Sequence, residues 1–284
     1  MRRTIATLLL PLALFGAACS SGDDSVVADG GAPTPGGGDG PLFLSIEVGG
    51  GFVPVGHDVR MPPRAVVYAD GTTFTAGATI AIYPGPAVLP VIEGQLDDEQ
   101  LEAILEAAAD AGLLDGDPLD VGEPPIADAP TTTITLVVDG DEHVTSVYAL
   151  DEVGGGGAPA GIDDEQQANR DRVRAFVQQV SELVTGAEGD TYEPERYLVL
   201  PLEARASDDE VEPNEVDWPL DDVALTEMAC VTVTGDHVEQ LRPALDEATE
   251  ITRWPSADGE FNLVVRALLP HEPACPEAGP ADGI

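Results

Sequence analysis

Three cysteines, four histidines and 53 acidic residues are the side chains of this 284-residue chain that could do covalent, metal or acid–base chemistry. The 12 basic residues are all Arg, and the net charge is −41. Without Lys there can be no Schiff base, no phosphate-loop lysine and no Ser-x-x-Lys nucleophile pair. A polyanion of this size repels phosphate backbones, so nucleic acid is not an expected partner.

The acidic clusters do not make a metal loop. Asp115, Asp117 and Asp120 come close to a calcium-loop spacing, but Leu119 and Ile126 stand where that loop needs oxygen ligands. Asp139-Gly140-Asp141-Glu142 reads as a hairpin turn. His57, His143, His237 and His271 are far apart, and no two share a helix face. There is no Gly-x-Ser-x-Gly, and Gly154–Gly157 lacks the spacing of a dinucleotide loop. Among 53 acids some carboxylate pair will always look suitable for hydrolysis, so such a pair carries no information here. The expectation is no catalytic residue, no metal and no cofactor.

Cys19 has a stronger context. Arg2 and Arg3 form a positive start, Thr4–Phe15 is an apolar run rich in Leu, and Gly16, Ala17 and Ala18 lead into Cys19. The run is too short to span a bilayer as a helix. Charge, apolar run, small residues and Cys in this order resemble a bacterial lipoprotein signal, which implies cleavage before Cys19 and acylation of it. Gly16 departs from the family's preference for Leu. The alternatives are ordinary signal-peptidase cleavage, since Gly16-x-Ala18 is also small-x-small, and a twin-arginine route without the usual flanking residues. An odd cysteine is a liability in an oxidising compartment, whereas lipidation of Cys19 leaves Cys230 and Cys275 as one pair. Residues 20–40 hold seven Gly and two Pro and read as a flexible tether.

The body must then position whatever site exists. Phe43–Val48, Arg64–Ala69, Thr72–Thr75 and Thr79–Tyr83 read as strands, with Asp70-Gly71 a hairpin turn. Asp97 caps a helix with Gln100 completing a capping box; Leu101, Ile104, Leu105 and Ala108 form its apolar face, and Gly112 stops it. Thr131–Val138 and Glu142–Leu150 form a second hairpin. Asp163 with Gln166 starts another helix, whose stripe is Val173, Phe176, Val177, Val180, Leu183 and Val184. Arg196–Leu202, Cys230–Thr234 and Phe261–Leu268 read as strands, Glu203–Asp222 as an acidic loop, and Asp236–Thr249 as a helix that Pro243 would kink or delay. The fold class is α+β: a signal peptide (1–18), a tether (19–40), an N-terminal unit of hairpins and helices (41–187), a smaller C-terminal one (191–276) and a tail (277–284).

RAVVYADG (Arg64–Gly71), YPGP (Tyr83–Pro86), DAPTT (Asp128–Thr132) and RALLPHEPAC (Arg266–Cys275) make the chain resemble uncharacterised secreted lipoproteins of high-GC Gram-positive bacteria. The resemblance implies an extracytoplasmic, membrane-anchored location and no activity. Two features suit binding. Tyr83, Pro84 and Pro86 belong to an extended, proline-rich apolar stretch that could be a docking edge or a structural crossover. Trp254 could line a pocket or anchor a core. The expectation is a non-enzymatic binding module of the envelope; the alternatives are a hydrolase using paired carboxylates between the two units and an inhibitor of a secreted enzyme.

Overall fold

The computed structural model describes residues 40–151, 161–204 and 211–275. The signal segment, Cys19, the tether up to residue 39, the Gly154–Gly157 run and the tail lie outside the described residues. The described residues fall within one compact unit.

The chain forms β1 (Leu42–Gly49), α1 (His57–Arg60), β2 (Ala65–Tyr68), β3 (Thr72–Ala76), β4 (Val91–Gln95), α2 (Asp98–Asp110), β5 (Thr131–Val138) and β6 (Asp141–Tyr148). It continues through α3 (Asp164–Gly186), β7 (Gly189–Thr191), β8 (Arg196–Glu203), β9 (Val231–Thr234), α4 (Asp236–Glu247), β10 (Arg253–Ser256) and β11 (Gly259–Ala267). Two antiparallel sheets result, a seven-stranded one ordered β6-β5-β1-β2-β3-β4-β7 and a four-stranded one ordered β10-β11-β8-β9. The architecture is α+β.

Local chemistry explains the best-formed elements. The Asp97 side chain accepts from the Gln100 N–H at 2.9 Å, and Gln100 accepts from the Asp97 N–H at 2.9 Å. Asp163 and Gln166 repeat the box at the start of α3. Each box satisfies backbone donors that a helix start leaves without partners. At the β5–β6 turn Asp139 and Gly140 both have positive φ, 54° and 88°, as a two-residue turn matched to strand twist requires. Gly71 has φ +86°, and a Cβ there would collide with the Leu96 carbonyl.

β2 shows how the layers share residues. Ala65 and Val67 join one apolar cluster with Ile104 and Ala108 of α2 and Val173, Phe176 and Val180 of α3. Val66 and Tyr68 join another, with Val199, Val265, Trp254 and the α4 residues Val238 and Leu241. Alternation along the strand sends successive side chains to opposite faces, so both faces of β2 are buried. The second cluster takes residues from both sheets.

One expectation is corrected. Thr79–Tyr83 alternates like a strand but is irregular, with Ile80 and Ile82 75% and 64% exposed; it joins neither sheet, and β3 pairs with β4 instead. The helix expected from Asp236 begins at that residue with Pro243 inside it, so of the two effects expected of this proline the late start does not occur. Of the acidic loop's described residues, Trp218 and Leu220 are buried. Its residues 214–218 run beside β10, with the Val216 N–H donating to Arg253 O at 3.0 Å and the Trp218 N–H to Pro255 O at 3.0 Å.

Candidate functional site

The register of the large sheet defines two ends. β1 pairs Leu42 with Tyr68 at one end and Gly49 with Thr131 at the other. The chain reaches β1 through Gly40, which sits against Asp70 of the β2–β3 turn. The segments after β1, after β3 and before β5 therefore gather at the opposite end, referred to below as the distal end.

The proline-rich stretch belongs to that end. The Gly77 N–H donates to Pro90 O at 2.8 Å and closes the base of the loop between β3 and β4. Its second half is clamped to the end of α4: the Gly85 N–H donates to Glu250 Oε1 at 2.7 Å, and the Glu250 N–H returns to Gly85 O at 3.0 Å. Arg60 of α1 donates to Pro86 O at 2.6 Å and pairs with Glu250 Oε2 at 3.1 Å. Pro84 is half-buried and Pro86 exposed, while Tyr83 is 52% exposed. The stretch is thus both a crossover held in place and an exposed edge.

Trp254 is not with them. It is 1% exposed and meets Trp218 edge-on, with ring centroids 6.2 Å apart. Its indole is part of the core and presents no surface to a ligand, so the pocket-lining role considered for it is corrected. Cys230 and Cys275 form a disulfide with Cα atoms 5.7 Å apart, and the Cys275 N–H donates to Thr232 Oγ1 at 2.7 Å.

A cavity of about 260 Å³ lies where Glu47, Val48 and Gly49 of β1 and Asp58 and Met61 face Arg266 and Glu272. Its acids have structural partners. Glu272 pairs with Arg266 at 2.6 Å and accepts the Leu269 N–H at 2.7 Å. Asp58 accepts the Gly50 N–H at 3.0 Å, and Glu47 accepts the Ser45 hydroxyl at 3.2 Å. Sequence reading missed this grouping because its members come from segments remote in the chain; the HEPAC run was the one signal, noted without a role.

The same run is bolted to the body. Arg196 donates to the carbonyls of Leu269, Pro270 and Glu272 at 2.8, 3.1 and 2.9 Å. The His271 N–H donates to the Tyr68 hydroxyl at 3.2 Å, and that oxygen lies 2.6 Å from His271 Nδ1. The ring contact is a hydrogen bond whose direction follows the imidazole tautomer, the phenol donating to a bare Nδ1 or accepting from Nδ1–H. Burial lowers the His271 pKa and pushes Tyr68 up to about 12, so both are neutral near pH 7.

Asp120, the last acid of the calcium-like run, accepts from the Gly122 N–H and from Gln166 Nε2, both at 3.1 Å; it ties that loop to the start of α3. Among the described residues, no group of three or more His, Cys, Asp or Glu side chains is placed to hold a metal ion, and no helix is long and apolar enough to cross a membrane. Compared with known proteins, the chain matches no family model, no curated protein and no solved structure.

Proposed function

We propose that this is an exported protein, lipid-anchored to the cell membrane through Cys19, whose α+β body serves as a non-enzymatic binding or interaction module of a bacterial envelope. The observation that carries this reading is the N-terminal order of Arg2-Arg3, an apolar run, Gly16-Ala17-Ala18 and Cys19, followed by a Gly/Pro-rich tether. A Cys230–Cys275 disulfide suits an oxidising compartment. On the body, an exposed proline-rich edge suits docking, while the cavity carboxylates are engaged by backbone, hydroxyl and Arg groups as structural acids are.

The test is mass spectrometry of the N-terminus after detergent extraction from expressing cells. The expected product starts at Cys19 and carries a diacylglyceryl mass, and Cys19→Ala releases the protein from the membrane fraction. An unmodified soluble chain starting at Cys19 or Ser20 would overturn the anchor. The rival reading, hydrolysis by paired carboxylates, would use Glu47 and Asp58 in the cavity. Turnover of a glycoside panel that is lost in Glu47→Gln and Asp58→Asn would replace the binding reading with that one.

A further inference from the structure

The distal end carries apolar side chains that the fold does not use. Phe52 is 91% exposed, Val53 40% and Val55 60%, in the segment between β1 and α1. Ile80 and Ile82 add their exposed surfaces from the loop between β3 and β4. In the sheet, β1 and β3 are separated only by β2, which places the two segments about 10 Å apart at their roots. They are also tied together, since Arg60, just past Val55, donates to Pro86 O beyond Tyr83. The backbone under Phe52 is held by its N–H donating to Asp128 O at 3.3 Å, and Gly56 packs so closely on Val264 and Leu202 that a Cβ would collide with Val264. The ring is therefore presented by an anchored backbone on the β5 side of β1, and exposed apolar surface from two segments at one end of a sheet suits an interaction site.

Charge decides the occupant. At this end Arg60, Arg64 and Arg266 are each paired within the chain, to Glu250, Asp151 and Glu272. Among the described residues Glu47, Asp58 and Asp128 form no ion pair, which leaves the surroundings of the apolar tips negative. A second copy of so acidic a chain, or an anionic lipid surface, would be repelled. Moreover, Gly40 lies at the other end of the sheet, so an attachment made through the residues before it does not begin at the distal end.

We infer that the distal end docks a basic, amphipathic polypeptide segment of an envelope partner, whose apolar face covers Phe52 and Ile82 while its Lys or Arg side chains meet Glu47, Asp58 and Asp128. This names the partner class for the binding module proposed above and rests on that reading. Apolar contact supplies the affinity and the acids set the sign of what is accepted.

The test uses the full chain in detergent and three labelled 14-residue peptides, one of Leu and Lys, one of Ser and Lys and one of Leu and Glu. The Leu/Lys peptide should bind at least ten-fold tighter than either of the others. Phe52→Ser with Ile82→Ser should weaken it at least ten-fold, whereas Val144→Ser, at an exposed apolar site on β6, should not change it. In the unmutated chain, that peptide should slow amide exchange at residues 50–56 and 79–83, a readout independent of any variant's folding. Equal binding of the Ser/Lys peptide, unchanged affinity in the double variant, or protection elsewhere would overturn the inference. So would association with phosphatidylglycerol vesicles in preference to the peptide, or dimerisation abolished by Phe52→Ser. Acylation of Cys19 is read separately: peptide binding without acylation sinks only the anchor, and acylation without peptide preference sinks only this docking site.

Discussion

The Tyr68 hydroxyl and His271 Nδ1 stand 2.6 Å apart although 203 positions separate the two residues. Tyr68 lies in the seven-stranded sheet, and His271 follows the last strand of the four-stranded one. One part-buried polar contact thus joins the first half of the body to its C-terminal run. Tyr68→Phe would leave the His271 N–H and Nδ1 without this partner, and losing a part-buried hydrogen bond in this way costs about 1–3 kcal/mol. Thermal unfolding should show a loss of several degrees.

The same pair makes stability depend on pH. Burial holds the native His271 pKa below its ordinary value, so the unfolded chain takes up the proton first as pH falls below about 6.5. Its contribution is complete above that value and is lost as pH falls toward the native one. Urea unfolding at pH 7 and pH 5 should show a smaller drop in His271→Gln than in the unmutated protein; an identical drop would mean that His271 does not contribute.

At the alkaline side the sign reverses. Burial pushes the Tyr68 hydroxyl up to about 12 and raises Tyr192 as well. Unfolded tyrosines ionise near 10, so these two stabilise the fold below about pH 10 and lose that contribution as pH climbs toward their native values. A phenolate absorbance titration should show a late-ionising fraction that disappears in urea, and Tyr68→Phe should reduce its amplitude.

Cys230 and Cys275 close a separation of 45 residues. The chain-entropy relation gives about 3–4 kcal/mol for such a loop. The double Cys230→Ser, Cys275→Ser variant should unfold at lower denaturant, and exchange at the backbone amide of position 275, which donates to Thr232 in the unmutated chain, should accelerate before that of the β5–β6 hairpin.

Arg170 is fully buried on α3 and donates to the carbonyls of Val121, Tyr148 and Ala149 at 3.3, 2.7 and 2.7 Å. Arg170→Met keeps much of the volume but orphans these acceptors, each at roughly 1–3 kcal/mol. A loss of about 3 kcal/mol in equilibrium unfolding is expected, well beyond that of Arg172→Met on the same helix.

Asp163 accepts the N–H groups of Glu165 and Gln166 at 3.0 and 2.9 Å. Asp163→Ala should cost about 1 kcal/mol, and Asp163→Ser much less, because Ser restores an acceptor at the cap. Urea midpoints of the two variants check this.

What could be read before folding is what closes within a few residues. Asp97 with Gln100, Asp163 with Gln166, and Asp139-Gly140 each complete their geometry inside four positions, so composition and spacing predict α2, α3 and the β5–β6 hairpin. The stripe Val173, Phe176, Val177, Val180 and Val184 is legible for the same reason, since a helix sets its own face. A strand takes its existence from a neighbour. Thr79–Tyr83 has a strand's alternation and joins neither sheet, whereas Gly189–Thr191 has little strand propensity and pairs with Ile92–Gly94. Trp254 became a core residue because Trp218 folds back onto it from a segment that reads as an acidic loop. The exposed apolar loops belong to the same class: nothing local to Phe52 or Ile82 shows that the strand order leaves them at the distal end, outside both apolar clusters. Local hydrogen bonding determined the caps, turns and stripes; long-range pairing, whose partners no short window contains, decided the sheets, the Tyr68–His271 contact and the exposed apolar side chains of the distal end.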